Sequence, residues 1–97
     1  SFEERGKMEV IKQLGKYMGR CCEFKEIRTR SAGRKHFVEL KLILPRALPF
    51  RDAHRLASEV ERDLCLSIPE CTATVSIVPC NEDCAFMTSS KPCPYLS

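Results

Sequence analysis

The sequence predicts an α+β fold, a two-layer ferredoxin-like sandwich in the order helix, strand, strand, helix, strand. Both helices are expected on one face of a three-stranded sheet, with an irregular cysteine-containing tail after it. Three observations predict this. Apolar residues recur every three or four positions in two charged segments, the period of an amphipathic helix. Elsewhere they alternate strictly with polar ones, the period of a strand. Proline or glycine stands close to where these runs start and stop.

The first helix is expected between Phe2 and Gly19, with Met8, Ile11, Leu14 and Met18 as its apolar stripe. Gly15 weakens it, and Gly19 is placed to stop it. Residues 22–30 read as extended, anchored by Phe24 and Ile27. Those two anchors are three apart, not two or four, which calls for a bulge or a late strand start. Ser31, Ala32, Gly33 and Arg34 form a turn, with Gly33 able to take a positive φ. From His36 to Leu44 the alternation has no miss. Val38, Leu40, Leu42 and Leu44 face one way, and Phe37, Glu39, Lys41 and Ile43 the other. The short turn makes these two strands an antiparallel hairpin.

Pro49 opens a second helix in its first turn. Ala53, Leu56, Ala57, Val60, Leu64 and Ile68 form its apolar stripe, Asp52, Glu59, Glu61, Arg62 and Asp63 mostly cover its other side, and Pro69 ends it. Thr72 to Val78 is the third strand. Ala73, Val75 and Ile77 face the core, Thr74, Ser76 and Val78 face away, and Pro79 stops the strand. The folded domain is therefore expected over residues 1–79, and residues 80–97 as the tail. The uncovered sheet face, half apolar and half polar, is a candidate dimer surface made by Phe37, Glu39, Lys41, Ser76 and Val78.

Composition narrows the function. The chain has 97 residues, 43% of them hydrophobic and 30% charged, which suits one small globular domain. Sixteen Lys and Arg against thirteen Asp and Glu leave a formal charge of +3, too little for a dedicated nucleic-acid binder. The open face offers Phe37 as its only aromatic residue, a poor platform for stacking RNA bases. No apolar run approaches the ~18–20 residues that span a bilayer, and no signal peptide is recognisable. The chain begins with Ser1 and not Met, which suggests a piece of a longer protein. No phosphate loop, nucleophile elbow or zinc-protease motif is present, so no enzyme activity is expected.

Seven cysteines would leave one thiol unpaired in a closed disulfide framework. They read better as thiols of a reducing compartment, some buried as small hydrophobes and others available as thiolate ligands. Cys65 reads as buried filler on the second helix, and at least one of Cys21 and Cys22 as packing. The hairpin cluster Arg28, Arg30, Arg34 and Lys35 reads first as a solvated face, with anionic headgroups or membrane-domain loops as its functional alternative.

Ile27-Arg28-Thr29-Arg30-Ser31-Ala32-Gly33 followed by Phe37-Val38-Glu39-Leu40 resembles the first hairpin of the cytoplasmic C-terminal domain of cation diffusion facilitator transporters. Ala53-His54-Arg55-Leu56-Ala57-Ser58-Glu59-Val60-Glu61 resembles that family's second helix, and Val75-Ser76-Ile77-Val78-Pro79 its last strand. The resemblance spans roughly residues 8–80. It implies a cytoplasmic domain of an integral inner-membrane or plasma-membrane protein. Upstream membrane helices would exchange a divalent cation for protons. The domain would pair with its twin, and zinc or a related ion at the interface would favour the closed dimer.

The family's usual ligands fall at positions where this chain differs. Histidines are replaced by Lys25, Lys41 and Ser76, and an acidic ligand by Val78, while the helix histidine remains as His54. A lysine ammonium has no lone pair to give a metal. The resemblance therefore leaves two readings open. In one, the domain senses zinc through His54 or through Cys80, Cys84 and Cys93, with Cys71, Cys22, His54 or a partner cysteine as a fourth ligand. In the other, Lys25 and Lys41 replace the ion and the dimer forms without metal, their ammonium groups meeting Glu26 or Glu39 of the twin subunit.

Overall fold

In a computed structural model the chain is described over residues 2–80. Helix α1 runs Phe2–Leu14 and passes into a single 3-10 turn at Gly15–Tyr17. Strands β1 (Glu23–Ala32) and β2 (Lys35–Leu44) follow, then helix α2 (Phe50–Ser67) and strand β3 (Cys71–Pro79). The sheet order is β1-β2-β3, with β1 antiparallel and β3 parallel to β2. A parallel neighbour needs a long crossover, and α2 supplies it. Among the described residues no helix is long and apolar enough to cross a membrane.

The core lies between one sheet face and the two helices. Val38, Leu40, Leu42 and Leu44 of β2 meet Ala53, Leu56, Ala57, Val60 and Leu64 of α2, with Ile68 and Val75 closing that side. The alternation in β2 and the stripe in α2 thus fold as expected. Gly33 has φ 64°, which glycine adopts without a steric cost, and with Arg34 it forms the hairpin turn.

Helix α1 presents a different face from the one its strongest hydrophobes predict. Met8 and Met18 are each 73% exposed and Ile11 is 54% exposed, while Gly6, Val10, Gln13, Leu14 and Tyr17 are buried. Two apolar stripes run along this segment, and tertiary packing selects the one that ends in Tyr17. The Tyr17 hydroxyl donates to the Asp63 carboxylate of α2. Its ionisation is pushed well above the ordinary tyrosine value, first by burial and then by that carboxylate. Arg20 lies over the Tyr17 ring at 5.2 Å and grips Glu59 with two hydrogen bonds of 2.9 and 3.0 Å.

The acidic face of α2 is correspondingly less free than the sequence suggests. Besides Glu59 and Asp63, Glu61 accepts a 2.8 Å hydrogen bond from the Val75 backbone N–H on the outer edge of β3. A carboxylate therefore occupies part of an edge that would otherwise present unpaired backbone groups. Cys21 is buried in the core, as expected for one of the adjacent pair. Cys65 is only half-buried and donates its thiol to the Cys71 carbonyl at 3.2 Å, so it links the end of α2 to the start of β3 and does not fill the centre.

Candidate functional site

The candidate site is the sheet face opposite the helices. Strand register sets its rows. Lys25 pairs with Lys41, and Lys41 pairs with Ser76. One row along, Arg28, Glu39 and Thr74 line up, and on the other side Glu23, Ile43 and Val78. Ile43 is 7% exposed, so this face already has one buried apolar residue.

The row exists in this form because of a bulge. Between Lys25 and Arg28 the β1–β2 register shifts, so Glu26 and Ile27 together oppose Leu40. Glu26 takes φ 52°, an uncommon conformation for a residue with a Cβ. The extra residue lets Phe24 and Ile27, three apart, both pack against the core. It also brings Glu26 to the open face, where its carboxylate meets the Lys41 ammonium at 2.6 Å. The three-residue spacing of the apolar anchors was the visible trace of this bulge.

Two lysines directly opposite each other would repel. Here each has a carboxylate nearby. Lys41 holds Glu26, whose carboxyl is lowered from its ordinary value first by the Lys41 hydrogen bond and then by its charge. Lys25 lies 4.0 Å from Glu23. That separation is electrostatic contact without a hydrogen bond, and Glu23 Oε2 is buried with no hydrogen-bond partner among the described residues. The expected partner of Lys41 in a twin subunit is thus present within the same chain. Beyond this row, the Arg30 guanidinium covers the Phe37 ring at 4.1 Å, which occupies the one aromatic surface a nucleobase would use.

The other candidates are dispersed. His54 is exposed on α2, in the layer behind the sheet, and its ring stacks on Phe50 at 6.2 Å. Cys80 is half-buried just beyond β3, fixed by its backbone N–H to the Leu44 carbonyl at 2.7 Å. Cys84 and Cys93 lie outside the described residues. Cys71 begins the strand that Cys80 follows, about 30 Å away along an extended chain, too far to share an ion with it. Burial, followed by a hydrogen bond to Cys65, pushes the Cys71 thiol up to about 12, which disfavours its thiolate. Cys22 is nearer Cys80, because its N–H binds the Ile43 carbonyl at 3.0 Å. Among the described residues no three His, Cys, Asp or Glu side chains converge to hold a metal.

Residues 5–80 match the family profile described as the cation efflux protein, cytoplasmic domain. The zinc form of the transporter CzrB is 33% identical, with a TM-score of 0.65 over 78% of this chain and 82% of that one. A second CzrB structure is 32% identical, with a TM-score of 0.67 over 80% of this chain and 92% of that one. The metal-bound C-terminal domain of the CzcD transporter from Thermotoga maritima shares the fold at 18% identity, with a TM-score of 0.63 over 77% of this chain and 92% of that one. No curated protein matches the chain.

Proposed function

The chain belongs to the family of cation efflux protein cytoplasmic domains, transporter modules and not enzymes, and from that premise we propose that it joins two transporter copies without using an interfacial metal. One observation carries this reading: the row Lys25, Lys41 and Ser76, with Glu26 delivered to Lys41 by the bulge. A cation entering that row meets two ammonium groups and a carboxylate already neutralised by one of them. Zinc belongs to the CzrB form and metal to the CzcD domain. In this chain the corresponding work falls to fixed charges and apolar area.

The interface is built from Phe37, Glu39, Lys41, Ser76 and Val78, with Lys25 and Glu23 at its side. Exposed ion pairs contribute little in water, so burial of the half-exposed Phe37 and Val78, beside the already buried Ile43, supplies most of the association and the charges set its register. The buried Glu23 Oε2 then gains a donor from the partner. The domain stands on the cytoplasmic side of the membrane that holds the transporter.

Native mass spectrometry of the reduced chain, with and without zinc, tests this reading. A dimer that stays metal-free and is insensitive to chelator is expected. Lys25→His with Lys41→His should create zinc uptake on the same face. A dimer that requires zinc would overturn the proposal. Zinc bound by the parent chain and lost on Cys80→Ser with Cys84→Ser would instead identify a tail-thiol sensor.

A further inference from the structure

We propose that the β1–β2 hairpin end of the domain binds an anionic phospholipid surface. The eight residues from Arg28 to Lys35 carry Arg28, Arg30, Arg34 and Lys35 and no carboxylate. All four are exposed, and none has an ion-pair partner among the described residues. This differs from the rest of the sheet, where Lys25 and Lys41 each lie by an acid. The cluster is also held in shape. Arg30 is laid on Phe37, and the turn at Gly33 and Arg34 fixes the tip.

The flank of the hairpin is apolar. An open groove between α1 and β1 is lined by Met8, Ile11 and Ile27, with Lys7, Arg28 and Arg30 at its sides. Met8 and Ile11 are the residues that α1 leaves out of the core. Cations beside exposed aliphatic side chains suit the boundary between headgroups and acyl chains, where ammonium and guanidinium groups meet phosphate and short apolar groups dip below it. The N-terminal end of α1 lies at this end too, since Thr29 donates to the Glu3 carbonyl at 2.9 Å and Phe2 stacks on His36 at 3.9 Å. The acids that face the region are Glu3 and Glu4 along the groove, Glu26 and Glu39 beside Arg28, and Glu70 beside His36. They line its sides and leave the tip cationic.

The inference rests on the cytoplasmic-domain assignment, which puts a membrane within reach, and is independent of whether the dimer takes metal. Each surface cation near an anionic leaflet is worth about fivefold in partitioning. The test is co-sedimentation of the full chain with neutral phosphatidylcholine vesicles and with vesicles containing phosphatidylserine, at fixed ionic strength. Binding to the second and not the first is expected. Arg28→Gln, Arg30→Gln, Arg34→Gln and Lys35→Gln together should reduce it by roughly several hundredfold. Arg34→Gln with Lys35→Gln alone, at the exposed turn, should still cost more than tenfold while leaving the circular dichroism unchanged. Met8→Ser with Ile11→Ser should weaken it less. Equal binding to neutral vesicles, no binding to either, retention by the two-residue variant, or displacement by inorganic phosphate would overturn the proposal. So would tighter binding to a single-stranded RNA oligonucleotide. Native mass spectra of the same variants keep a failure here separate from a failure to dimerise.

Discussion

On one face of the sheet, Val38, Leu40, Leu42 and Leu44 are packed under two helices, and no charged side chain interrupts them. On the other, Lys25, Lys41, Glu23, Glu26 and Glu39 share the surface with Phe37, Ile43 and Val78. The two faces come from the same strands, and their residues alternate along β2. The difference is in what fixes each residue's identity. On the covered face, exclusion of water is sufficient, and many combinations of aliphatic residues would serve. On the open face, charge sign and register matter. One inserted residue, Glu26, decides whether two opposed lysines have a neutralising group. The covered face makes the fold, and the open face carries the charges on which the proposed metal-free pairing rests.

The largest effect is expected on the covered face. Leu42 is fully buried between the layers. Leu42→Ala should cost about 2–5 kcal/mol in urea unfolding, through lost transfer energy and the cavity left behind. That loss should be independent of protein concentration. Val78→Ala on the other face should instead act through the dimer, shifting the midpoint more at low protein concentration than at high. If Val78→Ala behaves like Leu42→Ala at every concentration, the open face is a second core and not an interface.

This contrast also explains what the sequence could and could not disclose. Alternation in β2 and β3 and the stripe of α2 are consequences of one-sided burial, so periodicity was enough to place Leu40, Val60 and Val75. In α1 periodicity favours the wrong stripe, because Met8 and Ile11 are stronger hydrophobes than Gly6 and Gln13, yet the latter are buried. Long-range packing of Val10, Leu14 and Tyr17 decides between the two stripes, and the Tyr17 contact with Asp63 joins residues 46 apart. The candidate row was legible by position, through the resemblance that put Lys25, Lys41, Ser76 and Val78 at ligand sites. The partner of Lys41 was not, since Glu26 reaches the open face only by taking a left-handed backbone conformation. Sequence spacing hinted at the bulge but gave no direction for its side chain.

An intermediate effect is expected at Tyr17, which belongs to the covered side but depends on a polar contact. Tyr17→Phe removes a buried hydroxyl that donates to a carboxylate, and should cost about 1–3 kcal/mol at neutral pH. The pH dependence carries the sign. The folded tyrosine ionises above its ordinary value, so its contribution is full below about pH 10 and falls as pH rises beyond it. The parent chain should therefore hold its advantage over Tyr17→Phe up to about pH 10 and lose it progressively above that, measured by urea unfolding from pH 9 upward. Equal slopes for the two proteins would mean that Tyr17 is already water-accessible and that α1 is not locked to α2 by this contact.

The smallest effect on stability, and the sharpest test of the open face, is deletion of Glu26. Removing a residue from a strand normally turns every later side chain to the wrong face. Here the deletion should do the reverse. Ile27 would then oppose Leu40 directly, with Phe24 and Ile27 still on the covered face and Lys25 and Arg28 still on the open one, because the bulge already absorbs the extra residue. The urea midpoint should stay close to the parent's, whereas deletion of Glu39 in the central strand should prevent folding. What changes is charge. Lys25 and Lys41 would face each other without Glu26, so dimerisation should weaken and become more favourable with added salt, opposite to the response of a salt-bridged interface. Sedimentation equilibrium at low and high salt reads this directly. Unchanged association after the deletion would mean that the lysine row takes no part in pairing, and that Phe37 and Val78 hold the dimer without it.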